Sequence, residues 1–323
     1  MKSAPLPQRR EPVPRARARV ATPPPLPLPP VDMSLLGDLP SVELRARCMV
    51  EGFLNGHHRS PQKGSSVEFA EYRAYHPGDD LRRVDWRLFA RNDRLHIKQY
   101  EDDTRLRVFV VIDSSASMNY SSRPELLLKM DFARLVAAGV ATLARRQGDA
   151  FGLGIAGTDL DGFLPARSSQ PHWKSFIGRL NALVPSTRAS LAGALDDLAN
   201  LLPPRSLVVI ASDFYEESDK LSAALRRLRY DRHDLIGAHI IDPVEQDFDL
   251  DGSGIFFDAE SPAWQVSLDP EAVREGYLAR FRAFCSDLDG RFRAAGGEVV
   301  QLRTDRPPFE ILSRYLAQRE QRT

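Results

Sequence analysis

The sequence predicts an α/β protein built on a doubly wound, mainly parallel sheet, and two patterns support this prediction. From residue 108 onward, short apolar runs alternate with longer segments in which apolar residues recur at helical spacing. The apolar runs are mostly continuous, as expected for parallel strands that helices cover on both faces. Regular alternation of strands and helices is typical of a doubly wound domain.

Each predicted element follows from its own stretch of sequence. The strand candidates are Val108–Ile112, Ala150–Ile155, Leu207–Ala211, Leu235–Ile241 and Glu298–Leu302. The helix candidates are Pro124–Arg146, Gln170–Leu183, Leu191–Leu202, Asp219–Arg229, Pro270–Ala295 and Pro308–Gln318. Two β-like runs, Gly254–Asp258 and Trp264–Leu268, predict a hairpin insertion near residues 243–269.

Composition narrows the class of protein. The chain has 323 residues, of which 42% are hydrophobic and 27% charged, as is ordinary for a soluble globular protein. Its formal net charge of zero gives no reason to expect a nucleic-acid partner. The two cysteines, Cys48 and Cys285, predict no disulfide framework. Since we find no apolar run long enough to span a membrane and no apolar leader, we expect a cytoplasmic protein.

The chain divides into three regions. Residues 1–32 are rich in Pro and Arg and have few apolar side chains to bury, so we expect a disordered tail. Residues 33–107 combine a helix candidate, Val42–Leu54, with short turn-rich stretches that predict a β-rich subdomain. Residues 108–323 form the predicted α/β domain.

One segment carries the strongest chemical signal. Asp113, Ser115 and Ser117 form a D-x-S-x-S motif directly after the apolar run Val108–Ile112. At the carboxyl end of a parallel strand, these side chains converge outside the sheet, where open α/β sheets bind their ligands. One carboxylate and two hydroxyls are hard oxygen donors that suit Mg²⁺ or Mn²⁺ rather than zinc. From these residues alone, a Ser-rich turn capped by an Asp remains an alternative.

The sequence contains no recognisable catalytic machinery. It has no P-loop, no Gly-rich dinucleotide fingerprint after a strand and no G-x-S-x-G turn. The serines of the D-x-S-x-S motif lack a recognisable base. We therefore expect a protein that is not an enzyme, has no catalytic residues and takes no small-molecule substrate.

Two stretches of the chain resemble known families. The segment before the first strand of the α/β domain resembles the signature of the bacterial family called domain of unknown function 58. The residues that carry this resemblance are Gly64, Glu68-Phe69, Arg73, Tyr75, Pro77-Gly78-Asp79-Asp80, Arg82, Asp85-Trp86 and Ala90-Arg91. The order that follows, a strand, D-x-S-x-S, a long helix and a later strand ending in Asp, resembles a von Willebrand factor A-type domain with a metal-ion-dependent adhesion site.

The resemblance implies a set of metal ligands. Asp113, Ser115 and Ser117 match its first motif, and Asp213 matches the Asp that ends a later strand. A Thr-type ligand is expected before the helix that precedes that strand, where Thr187 and Ser190 both offer a hydroxyl. The expected cation is Mg²⁺ or Mn²⁺.

The resemblance also implies a partner. Genes of this family often lie beside those of MoxR-type AAA+ ATPases, so we expect an adaptor or effector that works with such an ATPase in a chaperone-like or assembly role. A partner's Asp or Glu would complete the metal's ligands.

Two alternatives remain open from the sequence. In the first, a metal-independent binding surface lies between Gly64 and Arg91, and its candidate residues are Arg73, Tyr75, Asp79, Asp80, Arg82, Asp85, Trp86 and Arg91. In the second, Asp113 and Asp213 serve a metal-assisted hydrolase. We rank the hydrolase last because no general base lies beside the motif.

Overall fold

A computed structural model describes residues 33–57, 71–74, 96–99, 106–186, 189–250, 254–257 and 265–320. The Pro/Arg-rich stretch 1–32, which we predicted to be disordered, lies outside these residues. So does most of the signature between Gly64 and Arg91. Within the described part of the chain, no helix has both the length and the apolar character needed to cross a membrane.

The described chain contains ten strands and nine α-helices. The strands are β1 (Glu71–Ala74), β2 (His96–Gln99), β3 (Arg107–Asp113), β4 (Ala150–Ala156), β5 (Leu160–Arg167), β6 (Leu207–Ser212), β7 (Asp234–Ile241), β8 (Gly254–Phe257), β9 (Gln265–Leu268) and β10 (Glu298–Arg303). The helices are α1 (Met33–Asp38), α2 (Val42–His57), α3 (Lys129–Arg146), α4 (Gln170–Ala182), α5 (Leu191–Leu201), α6 (Ser218–Tyr230), α7 (Pro243–Asp247), α8 (Pro270–Ala294) and α9 (Phe309–Glu320). A short 3₁₀ turn covers Ala116–Met118.

Six strands form the central sheet in the order β10-β7-β6-β3-β4-β5. All neighbouring strands are parallel except β4 and β5, which are antiparallel. From β3 the chain moves outward through β4 and β5, and it then returns to the other side of β3 to build β6, β7 and β10. This reversal makes the gap between the carboxyl ends of β3 and β6 a topological switch point, where such sheets bind ligands.

The predicted fold class is confirmed, and most of the elements lie within two residues of their predicted bounds. The hairpin insertion is also present, since β8 and β9 pair in antiparallel register. The sequence did not predict β5, because this edge strand is mostly half exposed and contains Gly162 and Pro165, two residues that weaken a strand pattern. Helix α3 begins at Lys129 rather than at Pro124.

Helices cover both faces of the sheet. One apolar core lies under α2, α3, α4 and α9, and the other lies under α5, α6 and α8. The side chains of Met49 and Phe53 on α2 are fully buried in the first core. Gly139 leaves space for Met49, whose terminal methyl would lie 2.1 Å from a Cβ at that position. The helix that we predicted as part of the 33–107 subdomain thus packs within the α/β domain.

The C-terminal helix is tied to the sheet layer through Asp149. The buried Asp149 carboxylate accepts hydrogen bonds from the Tyr315 hydroxyl, from Arg319 Nε at 3.0 Å and from the Leu106 amide at 3.0 Å. Residues far apart in sequence therefore share one buried acceptor, which fixes the position of α9.

We expect Tyr315→Phe to lower the free energy of unfolding by about 1–2 kcal/mol, because it removes one buried hydrogen bond without changing the packing of the ring. Urea denaturation measures this loss. Tyr230→Phe is the matched control, since Tyr230 is 87% exposed and its loss of a hydroxyl should leave stability unchanged. Equal effects of the two substitutions would contradict the assigned role of Asp149.

Candidate metal and interaction site

Asp113 ends β3 beside β6, and its carboxylate is held from two sides. Its side chain is almost completely buried. Oδ1 accepts the Ser115 amide at 2.9 Å, and Oδ2 accepts the Ser212 hydroxyl at 2.6 Å. The carboxylate therefore has a fixed orientation at the switch point of the sheet.

The two serines of the motif lie together. Ser115 Oγ and Ser117 Oγ are 3.0 Å apart. The two residues lie at the start of the 3₁₀ turn Ala116–Met118, and this turn brings their hydroxyls together. Adjacent oxygen ligands of an octahedral Mg²⁺ at 2.0–2.1 Å lie about 2.9 Å from each other. The spacing of these hydroxyls thus fits two neighbouring positions around a small, hard cation.

Ser212 is a site residue that sequence reasoning missed. Its hydroxyl donates to Asp113 and also accepts the Phe214 amide at 2.7 Å. Phe214 is buried and has a φ of 59°, a left-handed conformation that is uncommon for a large side chain. Unusual backbone conformations of this kind cluster at functional sites. The only sequence signal was the position of Ser212 immediately before Asp213, at the end of an apolar strand.

Asp213 follows β6 and is bound to a lysine that the sequence analysis did not identify. Lys129 Nζ lies 2.8 Å from Asp213 Oδ2 and 2.7 Å from Glu245 Oε1. The side chains of Lys129 and Asp213 are 1% and 2% exposed. The ammonium also lies 5.8 Å from the ring centre of Tyr120 and 5.4 Å from that of Tyr215. A buried positive charge thus occupies one side of the predicted ligand set.

Burial has the largest single effect on the pKa of Asp113, of His239 and of Lys129. Burial and, to a smaller extent, the negative charge of Asp213 raise the pKa of Asp113, hydrogen bonds from Ser212 and Ser115 oppose the change, and the net result is a pKa of about 6. Burial lowers the pKa of His239, which packs against Phe214, to about 4, so this imidazole is neutral near pH 7. Burial also acts to lower the pKa of Lys129, but the combined attraction of Asp213 and Glu245 outweighs it, and the pKa is raised.

The Thr-type ligand remains a prediction. Thr187 lies outside the described residues. Ser190 is the N-cap of α5, where its hydroxyl accepts the Gly193 amide at 3.2 Å. The Ser186 amide donates to the Ser114 carbonyl at 2.6 Å, so the segment that leads to residue 187 starts beside the D-x-S-x-S motif.

The alternative surface between Gly64 and Arg91 also remains a prediction. Arg73 lies in β1, where its backbone pairs with Ile97 of β2. The other seven candidates, which are Tyr75, Asp79, Asp80, Arg82, Asp85, Trp86 and Arg91, lie outside the described residues.

The residues that are present fit a hard cation held by few protein ligands. Asp113, Ser115 and Ser117 supply oxygen donors only, which suit Mg²⁺ or Mn²⁺. Among the residues that the structure describes, no three His, Cys, Asp or Glu side chains cluster as metal ligands. The described residues thus offer a cation at this position one carboxylate and two hydroxyls.

The strand order, the antiparallel edge strand and the D-x-S-x-S motif at the switch point together define a von Willebrand factor A-like α/β domain. More specifically, the chain belongs to the family described as "Protein of unknown function DUF58", whose sequence model matches residues 71–284.

Several known proteins are similar to this chain. "Uncharacterized protein Rv1480" of Mycobacterium tuberculosis is 31% identical over 293 residues, which cover 89% of this chain and 90% of that protein. Among solved structures, "conserved hypothetical protein BatB" from Bacteroides thetaiotaomicron has a TM-score of 0.45 at 13% identity, covering 67% of this chain and 99% of that chain. The SpRpn10 VWA domain has a TM-score of 0.36 at 12% identity, covering 66% of this chain and 95% of that chain.

Proposed function

We propose that this protein is a metal-dependent protein-interaction module without enzymatic activity. Asp113, Ser115 and Ser117 would hold Mg²⁺ or Mn²⁺ at the switch point, and an Asp or Glu of the partner would supply a further oxygen ligand. The observation that supports this most directly is the 3.0 Å separation of the two serine hydroxyls beside an immobilised carboxylate.

The surroundings of the site favour a macromolecular partner over a small substrate. Tyr120 and Tyr215 flank the buried Lys129 and are 39% and 48% exposed. Exposed tyrosines are enriched where proteins contact each other, because they combine apolar area with a hydroxyl. We propose a MoxR-type AAA+ ATPase as the partner, on the basis of the family resemblance.

The test is binding of the purified protein to the MoxR-type ATPase of the same organism, measured by surface plasmon resonance. We expect binding in 5 mM Mg²⁺, loss of binding in EDTA and at least a tenfold weaker affinity for Ser117→Ala, which removes one hydroxyl without changing charge.

Ser121→Ala is the matched control for this experiment. Ser121 lies four residues further along the same loop, and its hydroxyl donates to the Arg123 carbonyl at 2.8 Å. It should bind like the wild type. Binding that survives both EDTA and Ser117→Ala would refute metal dependence and favour the surface between Gly64 and Arg91. Circular dichroism in EDTA should show an intact fold.

A further inference from the structure

We propose that Lys129 is a resident counter-ion that holds Asp213 away from the metal, so that this site retains a cation firmly only when a partner's carboxylate is present. This inference rests on the proposed metal site and concerns its regulation. It assigns a role to a residue that lies 84 positions before Asp213 in the sequence and outside the D-x-S-x-S motif.

Asp213 already has a counter-ion in Lys129. Its Oδ2 accepts a hydrogen bond from Lys129 Nζ at 2.8 Å, and both side chains are almost completely buried. The Tyr215 backbone amide donates to the other oxygen of Asp213, Oδ1, at 3.5 Å. Water screens an ion pair only weakly in a buried environment, so the Asp213 carboxylate is bound strongly to the lysine.

Lys129 is fixed at both its backbone and its ammonium. The Lys129 amide donates to the Tyr120 carbonyl at 3.0 Å, which fixes the start of α3. Its ammonium is held by two carboxylates and lies 5.8 Å and 5.4 Å from the ring centres of Tyr120 and Tyr215. Glu245, the second carboxylate, is itself fixed because its Oε2 accepts the Asp242 amide at 2.8 Å in the capping box of α7.

A divalent cation at this site would therefore meet few anionic ligands. A metal beside Asp113 would meet one carboxylate that has no paired cation, two neutral hydroxyls and a nearby ammonium that repels it. Fewer anionic ligands give weaker binding of a hard cation. A partner's carboxylate would supply the charge that Asp213 does not, and metal and partner would then each raise the other's affinity by the same factor.

The test compares Mn²⁺ affinity by isothermal titration in the absence of any partner. The main variant is Lys129→Met/Glu245→Gln, which removes one positive and one negative charge and so leaves the net charge of the cluster unchanged. The side-chain amide that replaces the Glu245 carboxylate still offers an oxygen to the Asp242 backbone amide, as in other capping boxes. With Asp213 released, we expect this variant to bind Mn²⁺ at least tenfold more tightly than the wild type.

Two further variants make the result specific. Adding Asp213→Asn to the double variant should abolish the gain, because the released carboxylate is its source. Asp213→Asn alone should change Mn²⁺ affinity by less than threefold, since Lys129 already occupies that carboxylate in the wild type. This single variant also keeps the inference testable if the double variant does not fold.

The outcomes separate the two proposals. Equal, measurable affinity of the wild type and the double variant, or a tenfold loss from Asp213→Asn alone, would overturn the role of Lys129 and leave the metal site standing. Absence of Mn²⁺ binding in the wild type and the double variant would overturn both. Binding by the double variant alone would support the inference.

Discussion

Lys129→Met is expected to lower the free energy of unfolding by about 3–5 kcal/mol, which is the usual cost of removing one partner from a buried ion pair. The substitution leaves Asp213 and Glu245 with uncompensated charges in a place where Lys129 is 1% exposed. The loss does not arise from the missing attraction alone, since the two remaining carboxylates also repel each other. Urea denaturation at pH 7.5 measures the effect.

Two controls test this explanation. Lys220→Met removes a lysine that lies 2.6 Å from Glu217 on the surface, where both side chains are more than 60% exposed, and should leave stability essentially unchanged. The triple variant Lys129→Met/Asp213→Asn/Glu245→Gln removes the whole charged cluster and should recover most of the lost stability. Equal losses for Lys129→Met and Lys220→Met would show that burial does not govern the pair.

The fold, and the positions of the predicted site residues at the ends of two neighbouring strands, could be predicted because their signals are local. Asp113, Ser115 and Ser117 lie within five residues of each other, and a continuous apolar run places them at the end of a strand. Asp213 is recognisable for the same reason, since it follows another such run. Residues that are close in sequence and anchored to a regular element keep their spatial relation in the folded chain.

The remainder of the site depends on contacts between distant parts of the chain. Lys129 stands at the start of an amphipathic helix, where a lysine is ordinarily in contact with solvent. Only the strand order reveals that this helix begins above the ends of β3 and β6. The role of Ser212 could not be predicted either, because a serine in a strand does not indicate that its hydroxyl contacts a carboxylate 99 residues away.

The buried carboxyl of Asp113 makes stability depend on pH. Its pKa is raised from 3.8 to about 6, so the folded protein binds this proton more tightly than the unfolded chain does. Between about pH 4 and pH 6 the folded state therefore carries more protons, and stability falls as the pH rises through this window. Each tenfold change in proton affinity corresponds to about 1.4 kcal/mol. Ionisation of Asp113 therefore makes the free energy of unfolding about 3 kcal/mol lower at pH 7.5 than it is below pH 4.

We therefore expect Asp113→Asn to stabilise the protein by about 1–2 kcal/mol at pH 7.5 in EDTA. The side-chain oxygen of the variant still accepts the Ser115 backbone amide. Its NH₂ group cannot accept the Ser212 hydroxyl, and this lost hydrogen bond offsets about 1 kcal/mol of the gain. Below pH 4 the advantage should disappear, because the wild-type carboxyl is then neutral as well. Urea denaturation of both proteins at the two pH values measures the difference.

Asp219→Asn, at an exposed position in the first turn of α6, is the control and should change stability by no more than about 0.5 kcal/mol at either pH. A variant at Asp113 that is less stable than the wild type at pH 7.5 would contradict the assignment. Carboxylates that weaken the fold at neutral pH cluster at functional sites, since stability alone would favour the amide. If that function is cation binding, saturating Mn²⁺ should raise the stability of the wild type and leave that of Asp113→Asn unchanged, because only the wild type offers the cation an anionic ligand there.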